Sequence, residues 1–253
     1  QAPLARCAAG VCCADAGGPR LRPRWAPAPP SGLPCAVVIS RATVRACRQE
    51  FREYYLSKVA TDLAKQVEGT LSPCVAMQFQ GGGVRGGALT QIVPYASVRC
   101  ADTAVAQVGQ KFREVGFLLQ GDPSRRILKG HVWPISRFPL DKAFSLIPCG
   151  MSFTTYPLKP GVTLEMWNRT YSDKIVRLLA NELGILWLMS AVDEGAEGGP
   201  MGIVSALYSC EEAARSVQPK IGEVLALMGA IELLRGLPYE RTVGPGWTMR
   251  TPG

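Results

Sequence analysis

The sequence predicts an α+β protein with a long N-terminal helix, short mixed or antiparallel strands and a C-terminal helical bundle. Three observations carry the prediction. Apolar residues recur at spacings of three and four from Val44 to Val67, proline breaks the stretch from Ile127 to Trp167 into short runs, and the last third is rich in apolar segments joined by Gly/Pro links. This order differs from the strict strand-helix alternation of a doubly wound sheet. No internal repeat is legible.

Four segments follow. Residues 1–39 read as an extended Pro/Arg-rich arm, because prolines between Pro19 and Pro34 fix φ and withhold backbone donors. Residues 40–172 form an α+β domain carrying a glycine loop, 173–237 a helical bundle and 238–253 a C-terminal tail. Ser40 is placed to cap the long helix, whose apolar face is Val44, Cys47, Phe51, Tyr55, Val59, Leu63 and Val67, with Gly69 as its stop.

Cys74 to Gln80 reads as a strand, and Leu89 to Val98 as a second strand or short helix interrupted at Pro94. Val105, Val108, Phe112, Val115 and Leu119 predict a helix from Asp102 to about Gly121. In the bundle, Asp173 caps a helix over Lys174–Val192, a second covers about Met201–Val217, and Pro219 opens a third that ends near Gly236. Ile175 to Val192 has membrane-like length. Arg177, Asn181 and Glu182 favour a buried helix over a spanning one, since charges within a span are costly.

The chain has 253 residues, with 28 Lys and Arg against 20 Asp and Glu, a net charge of +8 that favours acidic partners such as RNA, anionic lipid or acidic subunits. Nine cysteines cannot all pair within the chain, and 47% hydrophobic content suffices for a core, so most thiols are expected buried and reduced. Cys7, Cys12 and Cys13 lack a second pair or a histidine cluster at zinc spacing, so no metal is assigned. The Arg-rich, acid-poor beginning of the chain resembles the mature edge of an organellar import sequence, which suggests a mitochondrial matrix or inner-membrane location.

The densest backbone freedom lies in Gly81-Gly82-Gly83-Val84-Arg85-Gly86-Gly87, five glycines in seven residues. Its amides could bind an anion or oxyanion through Gly82, Gly83, Arg85 and Gly86, or simply turn the chain. Preceded by a strand, the run resembles the oxyanion loop of patatin-like phospholipases, with Gln80 where that family has aspartate. The resemblance implies a serine nucleophile on a Gly-x-Ser-x-Gly turn and an aspartate base. Gly150-Met151-Ser152-Phe153-Thr154 and Asp193-Glu194-Gly195-Ala196 are the nearest matches, which makes Ser152 and Asp193 the residues of that alternative.

No phosphate-binding Gly-x-x-x-x-Gly-Lys motif is present, and no dinucleotide fingerprint leads into a helix. No cofactor is expected. His131, the only histidine, is flanked by Val132 and Trp133 and reads as a partly buried structural residue. Arg125, Arg126 and Lys129 form a basic cluster suited to phosphate or RNA. Asn168-Arg169-Thr170 is a glycosylation sequon. Lacking a complete catalytic constellation, the sequence predicts a non-catalytic accessory subunit of a large mitochondrial respiratory or ATP-synthase complex, partnered by other protein subunits. The alternatives are a mitochondrial ribosomal protein binding RNA and the patatin-like lipid acyl hydrolase.

Overall fold

The computed structural model describes residues 32–54, 69–71, 75–80, 86–135, 146–171, 176, 179, 184–227, 232–236 and 240–249. Eight strands close into one antiparallel barrel in the order β1-β3-β2-β8-β5-β7-β6-β4. The chain runs β1 (Leu33–Val44), α1 (Arg48–Phe51), β2 (Val75–Gln80), β3 (Gly87–Tyr95), α2 (Val98–Glu114) and β4 (Ser124–Pro134). It then repeats the same sequence of elements as β5 (Leu146–Pro157), α3 (Leu164–Thr170), β6 (Ile185–Asp193), β7 (Met201–Tyr208), α4 (Glu211–Leu227) and β8 (Glu240–Met249). Each half is thus a β-α-β-β-α-β unit with its first strand between its fourth and third. The two half-sheets join where β2 pairs with β8 and β4 with β6.

The repeat absent from the sequence is therefore present in the topology. Alternation along each strand explains the layering: one set of side chains fills the lumen and the other supports helices outside. Val37, Ile39, Ile92, Leu128, Val132, Met151, Phe153, Trp187, Met189, Ile203 and Leu207 pack together in the lumen. Outside the first half, Ala36, Val38, Leu89 and Val93 meet Ala101 and Ala104 of α2. Outside the second, Tyr156, Trp167, Val204, Ala206 and Tyr208 meet Ala214, Val217 and Ile221 of α4. Burial of each such apolar side chain contributes about 1.5–3 kcal/mol relative to leaving it in water.

Several expectations are corrected. Ser40 and Val44, predicted to cap and line the long N-terminal helix, lie in β1, and the described helix is the short α1; positions 55–68 of that prediction fall outside the described residues. The predicted C-terminal helical bundle gives way to β6, β7 and α4. All nine residues of β6 are buried, because one face looks into the lumen and the other under the helical layer. An apolar run with two buried faces carries no period-two signal, so it read as a buried helix.

The same holds for Met201–Tyr208, and α4 then continues through Pro219, where a new helix had been predicted to start. No helix among the described residues is long and apolar enough to cross a membrane. Of the nine cysteines, Cys35, Cys47, Cys100, Cys149 and Cys210 are described and free. Burial pushes the Cys35 and Cys149 thiols up to about 12.

Candidate functional site at the barrel mouth

One mouth of the barrel carries a concentration of charge facing a cavity. It lies where β1, β5 and β6 end and β4, β7 and β8 begin, and the cleft there has a volume of about 710 Å³. Ile39, Leu128, Phe153 and Ile203 form its apolar floor, continuous with the lumen core. Above them stand Arg41, Arg126, Asp193 and Glu240, with Glu197 and Gly198 from the β6–β7 connection.

Two ion pairs organise this rim. Arg126 of β4 bonds to Asp193 of β6 across the seam between the halves, and the Asp193 carboxylate is only 10% exposed. Arg41 of β1 donates from a guanidinium nitrogen to Glu240 of β8 at 2.7 Å. β1 and β8 stand three positions apart in a ring of eight strands, so this bond crosses the mouth instead of running along the wall. The Arg41 guanidinium carbon also lies 5.0 Å from the ring centroid of Phe153, on β5 directly opposite β1. Arginine's planar fork suits both contacts at once.

Local chain chemistry delivers these groups. Arg41 follows Ile39 by two, as Arg126 precedes Leu128 by two, so each guanidinium rides above an apolar lumen residue on the same face of its strand. Gly198 and Gly199 adopt positive φ in the β6–β7 connection, and Arg235 donates to the Gly198 carbonyl at 2.7 Å. The chain thereby turns back over the mouth at low steric cost.

The residues singled out in the sequence scatter. Ser152 lies on β5 between the lumen residues Met151 and Phe153, so it faces outward and shares a 3.3 Å hydrogen bond with the Tyr208 hydroxyl beneath the helical layer. Asp193 faces the lumen. The barrel wall separates them, and the Gly150–Thr154 segment is regular strand, paired with both β7 and β8, not a nucleophile turn. Gly82, Gly83 and Arg85 lie outside the described residues; Gly86, with φ +76, directly precedes β3. Arg126 points to the mouth, whereas Arg125 and Lys129 fall on the opposite face of β4, so the basic cluster is split between two surfaces. Among the described residues no group of three metal-ligating side chains converges.

Arg41, Phe153 and Glu240 carried no signal in the sequence. Their meeting depends on closure of the barrel, and Arg41 stood in a segment read as helical.

No family model matches this chain, and no curated protein matches it. Solved structures superpose on this chain at low identity. One described as "Putative monooxygenase" from Fusobacterium nucleatum superposes with a TM-score of 0.53 at 11% identity, covering 87% of this chain and 93% of that one. A structure of the same description from Lactobacillus acidophilus has a TM-score of 0.49 at 15% identity, covering 86% and 94%. Chlorite dismutase from Candidatus Nitrospira defluvii has a TM-score of 0.46 at 12% identity, covering 84% and 90%.

The architecture overturns the accessory-subunit expectation, with its mitochondrial-complex and structural-protein vocabulary. That expectation rested on the Pro/Arg-rich arm, on apolar helices needing partners and on the lack of a complete catalytic constellation; the first two of those helices contain β6 and β7, strands buried in the chain's own core. The patatin-like alternative falls with the separation of Ser152 from Asp193. The ribosomal alternative falls with the division of Arg125, Arg126 and Lys129 between two faces.

Proposed function

We propose that the protein is an enzyme acting on a small organic molecule at the barrel mouth, with oxygenase chemistry as its reaction class. The observation that carries the reading is the cleft of about 710 Å³ whose apolar floor is capped by guanidinium groups already held in place. A concave apolar site with few convergent polar groups is the form that small-molecule sites take. Its size and the placing of the Arg41 guanidinium over the Phe153 ring suit a planar aromatic substrate.

Each arginine spends part of its five-donor fork on a carboxylate and keeps donors for a developing phenolate or enolate oxygen. Asp193, largely buried against Arg126, positions that guanidinium. The description of the fold match from Fusobacterium nucleatum supplies the reaction class to test first.

The test combines binding with turnover. Polycyclic phenols should raise the melting temperature in proportion to RT ln(1 + [L]/Kd), and Arg41→Ala and Arg126→Ala should each weaken that binding about tenfold or more. Dioxygen uptake with the phenols that bind should fall in the same variants. Binding unaffected by both substitutions would remove the mouth as the site, and phenol binding without dioxygen uptake would remove the oxygenase class.

A further inference from the structure

A second polar constellation sits outside the barrel, on the seam where β4 meets β6. His131 and Ser190 are directly opposed across that pairing. Helix α3 lies over them and lowers Asn168 onto both. The helix is anchored by Thr163, whose hydroxyl accepts from the Met166 amide, and it buries Trp167 and Asn168. The Ser190 hydroxyl donates to Asn168 Oδ1 at 3.0 Å, and Asn168 Nδ2 lies 2.7 Å from His131 Nδ1. Ser190 is fully buried and Asn168 is 7% exposed.

This chain of bonds has one open end. An amide nitrogen can only donate, so with Oδ1 taken by Ser190 the amide presents Nδ2 to the imidazole, Nδ1 accepts, and the proton resides on Nε2. Nε2 has no partner among the described residues. His131 lines a cleft of about 350 Å³, together with Gly32, Trp133, Leu164, Glu165, Asn168 and Arg169. Trp133 stacks against the imidazole with centroids 5.9 Å apart and planes 25° apart, which holds the ring's orientation. Arg169 rests on Glu165 at 3.0 Å, an exposed pair one helical turn apart that a competing anion can open.

We propose that this cleft is a second ligand site, separate from the barrel mouth, that takes a small planar carboxylate. One carboxylate oxygen accepts from His131 Nε2–H, the Arg169 guanidinium meets the other, and the apolar body rests on Leu164, the half-buried apolar side chain of the lining. A neutral imidazole donor fixed by a buried amide is suited to recognition: it orients an acceptor without the desolvation cost of a full charge.

His131 is the only histidine, so its ring nitrogens give an unambiguous signal in long-range ¹H–¹⁵N spectra. The expected result is the Nε2–H tautomer, with benzoate shifting Nε2 saturably. Arg169→Ala should weaken the benzoate response, and His131→Phe, followed by tryptophan fluorescence, should weaken binding about tenfold or more. Ser190→Ala, which frees the amide to turn, should admit the Nδ1–H tautomer. The benzoate shift should persist in Arg126→Ala, which separates this site from the mouth. A wild-type Nδ1–H tautomer would overturn the proposal, as would absence of a saturable shift at benzoate about tenfold above a millimolar Kd.

Discussion

The two halves of the barrel share a topology but fill their outer layers with different materials. Beneath α2 the first half packs Ala36, Val38, Leu89 and Val93 against Ala101, Ala104, Leu118 and Leu119, mostly small and aliphatic. The second half packs Tyr156, Trp167, Tyr171 and Tyr208 beneath α3 and α4, joined across the seam by Trp133 of β4. Aromatic groups bury more area per residue and bring polar atoms inside with them. Trp133 Nε1, Trp167 Nε1 and the Tyr171 hydroxyl find no partner among the described residues, while Tyr208 meets Ser152. Burial keeps the hydroxyls of Tyr156, Tyr171 and Tyr208 protonated. The aliphatic half is built for close packing, and the aromatic half accepts polarity near the seam where His131, Asn168 and Ser190 are hydrogen-bonded.

The largest test of this contrast is truncation. Trp167→Ala should cost about 3–5 kcal/mol in urea unfolding, because a fully buried indole leaves a void that the neighbouring rings cannot collapse into. Gly202 supports that indole: a Cβ there would stand 2.8 Å from the Trp167 ring, so the strand is shaped to the side chain. Leu118→Ala, in the aliphatic layer, should lie towards the lower end of about 2–5 kcal/mol. A smaller loss at Trp167 than at Leu118 would mean that the aromatic layer repacks freely.

A smaller effect belongs to the polar network at the seam. Asn168→Ala strands the Ser190 hydroxyl in a fully buried position and should cost about 1–3 kcal/mol. His131 adds a pH signature, since burial lowers its pKa below the ordinary value. The unfolded chain then binds the proton more readily than the folded one. Stability is unaffected above the unfolded pKa of about 6.5 and falls as pH drops below it. Urea midpoints between pH 7 and 5 should show this slope, and His131→Phe should flatten it. Protonated imidazole would also place two donors face to face at Asn168 Nδ2. The same burial removes Asn168 from use as a glycan acceptor in the folded protein.

How much of this was legible follows from what a linear pattern can encode. Cys74–Gln80 was visible as a strand, Leu89–Val98 as either a strand or a short helix, and the apolar period from Val105 announced α2, because each signal is local. Leu33–Val44 was obscured by prolines on one side and by helical spacing on the other, although its pairing with β3 and β4 leaves no doubt of its extended form. β6 and β7 were hidden by their burial on both faces. Asp193 was noticed for a hydrolase motif and Arg126 for a phosphate patch; their pairing needs the β4–β6 seam, which joins residues 67 positions apart. The longest-range contact at the mouth, between Arg41 and Glu240, spans 199 positions. No local rule reaches that far.

The smallest predicted effect falls on that contact, and it sharpens the distinction between holding the fold and holding a ligand. Arg41 and Glu240 remain 43% and 32% exposed, so solvent screens their attraction and fixing both long side chains costs rotamer entropy. A double-mutant cycle with Arg41→Ala and Glu240→Ala should therefore return a coupling of only about 0.2–1 kcal/mol, shrinking as salt rises. The lumen core beneath, not this bridge, keeps the barrel closed. If Arg41→Ala nevertheless weakens phenol binding about tenfold while leaving stability almost unchanged, the bridge is a device for aiming a guanidinium over Phe153. A coupling well above 1 kcal/mol, together with unchanged ligand binding, would instead make it a structural strap across the mouth.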